Sequence, residues 1–203
     1  KAASGDKNCC IRYVNGEKVT KEDVEQADVI VGNVDPSLIS GAKNLELLQL
    51  NSAGADLYIK AGVMPEGAVL ANATGAYGLA VSEHMLGLTF DLIRRLNQYH
   101  ANQAEHVWKA MGNIISVEGS TILVLGLGDI GGDYARKVHA LGAHVIGVRR
   151  TNRNKPDYLD EQHTMDDLDM LLGRADIVAM VLPGGSTTNH IMDERRLRLM
   201  KKG

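Results

Sequence analysis

The sequence predicts an α/β protein of two domains, each a doubly wound parallel sheet, from three observations. Short apolar segments alternate with helical stretches, and parallel strands need such crossover connections. The segment ADIVAMVL at 175–182 is almost uninterruptedly apolar, as expected of a strand buried on both faces of a sheet. Aromatic residues make up only 4% of the chain, which contains 22 glycines. This balance is typical of aliphatic cores joined by tight strand-to-helix turns.

Composition argues against several classes of partner. The 203 residues carry a formal net charge of −3, so we expect no nucleic-acid partner and no anionic membrane partner. The sequence contains no apolar run of about 18 residues, the length that predicts a membrane span. Its first residues lack the apolar core of a signal peptide, so secretion is not expected.

The two cysteines, Cys9 and Cys10, are adjacent in the sequence and cannot easily pair with each other. A reduced, cytoplasmic protein is therefore the natural interpretation. Two alternatives stay open for the pair. One cysteine faces inward and one outward on a strand, or the two form a vicinal redox switch.

The first half of the chain predicts four strands and one short helix. The strands are expected at 9–14, 27–32, 45–50 and 69–72, and together they make a small flavodoxin-like sheet. The helix is expected at 20–26, where Thr20 and Asp23 have the spacing of a capping box. This half is assigned to a first domain, residues 1–100.

A helix predicted over 79–101 connects the two halves. At 1.5 Å per residue it spans about 34 Å, long enough to pass from one domain to another. The second domain, residues 101–203, alternates strands and helices again. Strands are expected at 120–125, 144–148 and 175–182, and helices at 129–141, 164–172 and 193–202.

The motif GLGDIG at 126–131 follows a strand and opens a helix, which is the context that a dinucleotide-binding turn requires. Gly126 permits the tight turn, Gly128 lets the backbone approach a pyrophosphate, and Gly131 allows close helix–sheet packing. The amides near Asp129 and Ile130 face the anion at the helix N-terminus. The alternative is a glycine-rich turn without a ligand.

The end of the next strand predicts which dinucleotide is bound. Sites for NAD place a carboxylate there to hold the ribose hydroxyl, whereas this chain has Arg149, Arg150 and Thr151. Two guanidinium groups suit a 2′-phosphate, which a carboxylate would repel. We therefore expect NADP(H) to be preferred, with NAD(H) as the alternative cofactor. The other interpretation is that both arginines are solvated surface charges.

Several ordered motifs together resemble the D-isomer-specific 2-hydroxyacid dehydrogenase family. The matching segments are LQLNSAGAD at 48–56, VLANATG at 69–75, VSEH at 81–84, Arg94, GLGDIG at 126–131, ADIV at 175–178 and Leu182-Pro183. The resemblance implies a flavodoxin-like substrate domain followed by a Rossmann domain. It also implies a short 2-keto or 2-hydroxy acid as substrate, a glyoxylate or hydroxypyruvate reductase-like activity, and a homodimer.

The resemblance also assigns residues to the substrate and the nicotinamide. Backbone amides of Ala53 and Gly54, beside Ser52, would hold the substrate carboxylate, and a plain turn is the alternative. Tyr77 and Trp108 could close the substrate pocket, although core or hinge packing is the alternative for each. The nicotinamide wall is expected from three residues of a loop that departs from the family pattern. They are Leu182, Pro183 and Thr188.

The catalytic Arg, Glu and His of the family are expected beyond residue 203, and the chain is expected to be truncated at both ends. No catalytic residue is therefore assigned within it, and its histidines are read as structural or surface residues. They are His84, His100, His106, His139, His144, His163 and His190. Two further alternatives are a non-catalytic dinucleotide sensor, such as a corepressor, and a different Rossmann enzyme.

Overall fold

The computed structural model describes residues 9–151 and 154–202. They form two compact units, one ending at Ala73 and the other beginning at Thr74. Both units contain helices and a parallel sheet, which confirms the α/β class. Within the described ranges, no helix is long and apolar enough to cross a membrane.

The first unit contains a three-stranded parallel sheet whose strands lie in sequence order. Its elements are α1 (Lys21–Glu25), β1 (Val29–Val31), α2 (Pro36–Ile39), β2 (Leu47–Gln49) and β3 (Val69–Ala71), preceded by a 3-10 helix at Gly16–Lys18. Leu48 of the central strand is fully buried, and Val24 of α1 and Ile39 of α2 pack in the same apolar cluster. One small core therefore joins both helices to the sheet.

Local sequence signals set where the two helices of this unit begin. The Thr20 hydroxyl accepts a hydrogen bond from the Asp23 amide at 3.2 Å, and the Asp23 carboxylate accepts one from the Thr20 amide at 3.0 Å. The predicted capping box is confirmed. At the second helix, Asp35 accepts from the Ser37 amide at 2.8 Å, and Pro36 suits the first turn because no amide hydrogen is needed there.

The strand predicted at 9–14 is wrong. These residues are exposed and have no regular structure, because no strand of the described chain pairs with them to cover their apolar side chains. The first sheet therefore has three strands rather than the four expected. Cys9 and Cys10 are both exposed and free, so the inward-and-outward placement on a strand is also wrong.

The continuous helix predicted at 79–101 is broken into α3 (Gly78–Ile93) and α4 (Leu96–Ala104). The break is at Arg95, which has a left-handed backbone with φ of 55°. That conformation cannot continue a right-handed helix. The Arg95 side chain stays at the break, where its Nε donates to the Asn113 carbonyl at 3.0 Å. The compact units divide between Ala73 and Thr74, so α3 lies in the second unit. The domain boundary expected at residue 100 stays a prediction.

The second unit is built on a four-stranded parallel sheet with strand order β6-β5-β4-β7. Its elements are β4 (Thr121–Leu125), α5 (Asp129–Ala140), β5 (His144–Val148), β6 (Glu161–His163), a 3-10 helix at Met165–Asp167, α6 (Leu168–Leu172), β7 (Ile177–Met180) and α7 (Glu194–Leu197). The chain moves outward from β4 to β6 and then returns to the other side of β4. Such a reversal opens a crevice at the carboxyl ends of the two strands on either side of it.

Four elements of this unit differ from the sequence prediction. The helix predicted at 164–172 is a 3-10 helix at Met165–Asp167 followed by the shorter α6. Strand β6 was not expected, because its residues EQH have no apolar pattern. It forms because it pairs with β5, placing Glu161 beside Ile146. Strand β7 and helix α7 are shorter than the segments predicted at 175–182 and 193–202. Asp193 caps α7 by accepting from the Arg196 amide at 2.8 Å.

Helix α3 packs against α5 through apolar side chains and two polar contacts. The hydroxyls of Thr89 and Tyr134 are 2.7 Å apart, and Lys137 donates from Nζ to the Ser82 hydroxyl at 2.7 Å. Burial raises the pKa of Tyr134. Because Ser82 and Tyr134 are almost completely buried, these polar contacts are needed to satisfy groups removed from water.

Candidate functional site

The turn between β4 and α5 presents backbone amides for which the described residues supply no acceptor. Gly128 precedes the helix, and no side chain caps it. The Gly132 amide donates a hydrogen bond to the Gly128 carbonyl at 2.8 Å, and this bond spans the first turn of α5. The amides of Asp129 and Ile130 lie within that turn, where an α-helix supplies no carbonyl partner. An uncapped helix N-terminus of this kind favours an anion.

Glycine is required on both sides of this turn because the backbone is crowded. A Cβ atom at Gly131 would lie 1.9 Å from the Gly126 carbonyl oxygen. A Cβ atom at Gly126, where φ is +95°, would lie 2.4 Å from the Val181 oxygen. Gly128 has open space beside it, with no atom within 4 Å of a Cβ position. Gly126 and Gly131 are therefore needed for close packing, whereas Gly128 leaves room for a ligand to approach.

Arg149 and Arg150 lie at the carboxyl end of β5, next to the glycine turn. The Gly126 amide donates to the Val148 carbonyl at 2.9 Å, which places the end of β5 beside the turn. Arg149 is partly buried, whereas Arg150 and Thr151 are exposed. Among the described residues neither guanidinium has an ion-pair partner, so both charges are available to a ligand.

The loop after β7 forms the other wall of the crevice. A Cβ atom at Gly126 would lie 3.2 Å from Leu182 Cδ2, so this loop contacts the glycine turn. Pro183 and Thr188 line a cavity of about 550 Å³ that also includes Leu182. The Thr188 hydroxyl donates to the Pro183 carbonyl at 2.6 Å, so its visible role is to close the loop on itself.

The predicted substrate loop lies at the carboxyl ends of the strands in the first unit. The Ser52 hydroxyl donates to the Gly54 carbonyl at 2.8 Å and accepts from Asn33 Nδ2 at 3.0 Å. Asn72 Nδ2 donates to the Ala53 carbonyl at 2.8 Å. Ser52 and Gly54 line a cavity of about 500 Å³. The loop is therefore held by side chains from neighbouring strand ends, while no acceptor among the described residues is found for the Ala53 and Gly54 amides.

Tyr77 and Trp108 lie in the second unit and are not core residues. Tyr77 immediately precedes α3 and is exposed. Trp108, in the segment after α4, is fully exposed. Core packing is therefore wrong for both side chains.

Comparison with known proteins identifies the family. The profile described as D-isomer specific 2-hydroxyacid dehydrogenase, NAD binding domain, matches residues 86–203, more than half of the chain. The chain belongs to this family. The solved structure of a D-isomer specific 2-hydroxyacid dehydrogenase family protein from Aeromonas salmonicida has a TM-score of 0.79 and 27% identity. The comparison covers 90% of this chain and 59% of that one.

Two further relatives show the breadth of the family. A D-3-phosphoglycerate dehydrogenase from Methanocaldococcus jannaschii is 27% identical over 89% of this chain and 36% of its own length. An NADPH-dependent glyoxylate/hydroxypyruvate reductase from Sinorhizobium meliloti, solved with NADP and sulfate, has a TM-score of 0.74 and 25% identity. That match covers 86% of this chain and 55% of the reductase. The chain thus spans less than two thirds of each of these relatives.

Three histidine side chains lie close to carboxylates. His144 Nε2 lies 2.9 Å from Glu161 Oε1, and His163 Nε2 lies 3.0 Å from Glu161 Oε2. His139 lies 3.6 Å from Asp160. The Arg174 guanidinium has the largest effect in holding the pKa of Glu161 well below its ordinary value, and the hydrogen bonds from His144 and His163 lower it further. His144 begins β5, whereas His163 ends β6 and pairs with Val148, so these contacts run along the β5–β6 edge from the amino end towards the carboxyl end of the sheet.

Sequence reasoning missed the residues that support the substrate loop. Asn33 accepts from the Asn51 amide at 2.9 Å, in addition to its bond to Ser52. The signal was present, because Asn33, Asn51 and Asn72 each follow a strand of the first sheet within two residues. Parallel strands bring their carboxyl ends to one edge, so three such asparagines predict a polar cluster there.

Proposed function

We propose that this chain is part of an NADP-preferring oxidoreductase that transfers hydride between a nicotinamide cofactor and a short D-2-hydroxy or 2-keto acid. The observation that carries the cofactor preference is the pair Arg149 and Arg150 at the carboxyl end of β5. No Asp or Glu follows them before Asp157. The NADPH dependence of the Sinorhizobium meliloti relative supports the same preference.

The preference follows from charge at the ribose position. A 2′-phosphate adds negative charge and strong acceptor oxygens, which a planar guanidinium holds with paired, charge-assisted hydrogen bonds. NAD has a neutral hydroxyl there and is held best by a carboxylate. The partly buried Arg149 has the stronger interaction with the ligand, since a less hydrated charge is screened less.

Calorimetric titration of wild-type and Arg149→Asp chains with NADPH and NADH tests the proposal. We expect the substitution to lower NADPH affinity by about tenfold or more, in line with a loss of 1.5–3 kcal/mol for a charged hydrogen bond. NADH affinity should change less. Arg136→Asp makes the same charge change on an exposed residue of α5 and should leave the ratio intact. An unchanged NADPH-to-NADH ratio in Arg149→Asp would show that the arginines are only surface charges.

The Ser52–Gly54 loop supports the assignment of the substrate class. Small residues leave the Ala53 and Gly54 amides open to an anionic carboxylate, and the loop is held in place by Asn33 and Asn72. Because the catalytic residues of the family are expected beyond residue 203, the corresponding activity assay measures oxidation of NADPH with glyoxylate, pyruvate or hydroxypyruvate by the whole oxidoreductase of which this chain is proposed to be part. Turnover with one of them supports the reductase. NADPH binding without turnover of any of the three would favour a non-catalytic dinucleotide-binding module.

The proposed protein is a homodimer, and exposed apolar residues around α4 support a second copy as the partner. Leu96 and Tyr99 of α4 are exposed, as are Trp108 and Ile115 in the segment that follows. Exposed apolar side chains, where they form one patch, favour burial against another chain. Light scattering on the eluting protein measures the oligomeric state directly, and a monomer at high concentration would refute the dimer. A cytoplasmic location stays a prediction of the sequence.

A further inference from the structure

The first residue of α3 is packed directly against a carboxylate of the glycine turn. Gly78 is buried, and a Cβ atom there would lie 2.4 Å from Asp129 Oδ1, 2.7 Å from Cγ and 2.8 Å from Oδ2. The Asp129 carboxylate therefore occupies the space that any larger residue at position 78 would need.

Electrostatics favours this place for the carboxylate. Tyr77 provides no side-chain cap for α3, and the first turn of α3 contains no acidic residue. The N-terminal end of this 16-residue helix carries partial positive charge, which a nearby carboxylate complements. Within the described chain, Asp129 has neither an ion pair nor a hydrogen bond, so only packing and this field hold it.

Asp129 is also the one acidic residue of the glycine turn at 126–131. Its own amide belongs to the uncapped start of α5, where the proposed cofactor would place its pyrophosphate. A carboxylate free to turn towards that anion would repel it. The position of the Asp129 side chain therefore matters to the affinity of the turn.

We propose that Gly78 is a positioning residue for the dinucleotide. By leaving room at its α-carbon, Gly78 keeps the Asp129 carboxylate at the start of α3 and away from the pyrophosphate amides at the start of α5. The inference rests on the proposed function, since it requires that the turn binds a dinucleotide. It assigns to α3 a role in cofactor affinity without direct contact with the cofactor.

Gly78→Ala, Asp129→Asn and the double variant test the inference by calorimetric titration with NADPH. In Gly78→Ala, the displaced carboxylate should lower NADPH affinity about five- to tenfold, as expected for one charge moved to within a few ångströms of an anion. The loss should shrink at high salt. In the double variant it should disappear. Gly87→Ala, in the same helix and with no atom within 4 Å of its Cβ position, is the matched control.

Asp129→Asn alone provides a test that does not depend on Gly78→Ala folding. Because the wild-type carboxylate is held away, neutralising it should raise NADPH affinity by less than about twofold. A tenfold gain in Asp129→Asn would overturn the inference. So would wild-type NADPH affinity in Gly78→Ala, or a loss of affinity in Gly78→Ala that persists in the double variant. If the wild-type chain binds neither NADPH nor NADH, the proposed function itself fails. The thermal midpoint of each variant, measured without cofactor, separates loss of affinity from loss of folding.

Discussion

Replacing the glycines of the turn one at a time separates packing from ligand approach. In Gly131→Ala, the new methyl group would lie 1.9 Å from the Gly126 carbonyl oxygen. Both partners are backbone groups, so the start of α5 must move away from the end of β4. Overpacking costs about 1–3 kcal/mol, and we expect the upper end because no flexible side chain can yield. Alanine has a helix propensity about 1 kcal/mol more favourable than that of glycine. The net loss in the free energy of unfolding is therefore about 2 kcal/mol.

Gly128→Ala should lower NADPH affinity with little effect on folding. Gly128 has an extended backbone with φ of −76° and ψ of −159°, and a Cβ atom there meets nothing within 4 Å. Its effect on folding should stay below about 1 kcal/mol. The methyl group would occupy the open side of the turn, and NADPH affinity should fall by about tenfold or more as amide–phosphate hydrogen bonds are lost.

Thermal unfolding by circular dichroism without cofactor and titration with NADPH measure the two effects. A loss of about 2 kcal/mol in Gly131→Ala corresponds to a midpoint lowered by roughly 4–8 °C. Gly87→Ala should instead be neutral or slightly stabilising. A wild-type midpoint in Gly131→Ala would refute the packing argument. Wild-type NADPH affinity in Gly128→Ala would refute close approach of the pyrophosphate.

Two further predictions concern buried and charged contacts outside the turn. The Thr89 hydroxyl donates to the Met85 carbonyl at 2.9 Å, so it accepts the hydrogen bond from the Tyr134 hydroxyl. Thr89→Val should therefore lower the free energy of unfolding by about 1–3 kcal/mol, because the Tyr134 hydroxyl is left unsatisfied. Tyr134→Phe should cost about 0.5–1.5 kcal/mol, and urea unfolding that reverses this order would contradict the assigned donor. The pKa of Glu161 is below its ordinary value of 4.5 in the folded state, so its ion pairs stabilise the protein above that pH and lose their effect as the pH falls further. The urea midpoint of Glu161→Gln should therefore depend less on pH in the acid range than that of wild type, and parallel curves would argue against a role for this carboxylate.

Helix α3 contacts both the glycine turn and helix α5. Its N-terminus contacts the glycine turn through Gly78 and Asp129. Further along, Thr89 and Ser82 contact Tyr134 and Lys137 of α5. Helix α3 therefore lies in the same compact unit as the glycine turn. Substitutions on α3 should therefore be tested for effects on NADPH affinity as well as on stability.

Features that depend on a few neighbouring residues were determined by the sequence alone. The Thr20–Asp23 capping box, the glycine turn at 126–131 and the apolar strand predicted at 120–125 each depend on contacts or periodicity within one segment. The order of several such motifs was enough to indicate the family. The sequence also placed Arg149 at a strand end, because the strand and the residues after it are adjacent in the chain.

Tertiary structure alone decided the features that depend on distant partners. The apolar segment at 9–14 stays outside the sheet because no described strand pairs with it, whereas the polar segment of β6 becomes a strand because β5 offers it hydrogen bonds. The hydrogen bond from Arg95 to Asn113 at the helix break and the contact between Gly78 and Asp129 likewise join residues far apart in the chain. Pairing and packing override local propensity, so these features follow from which surfaces meet in the folded chain.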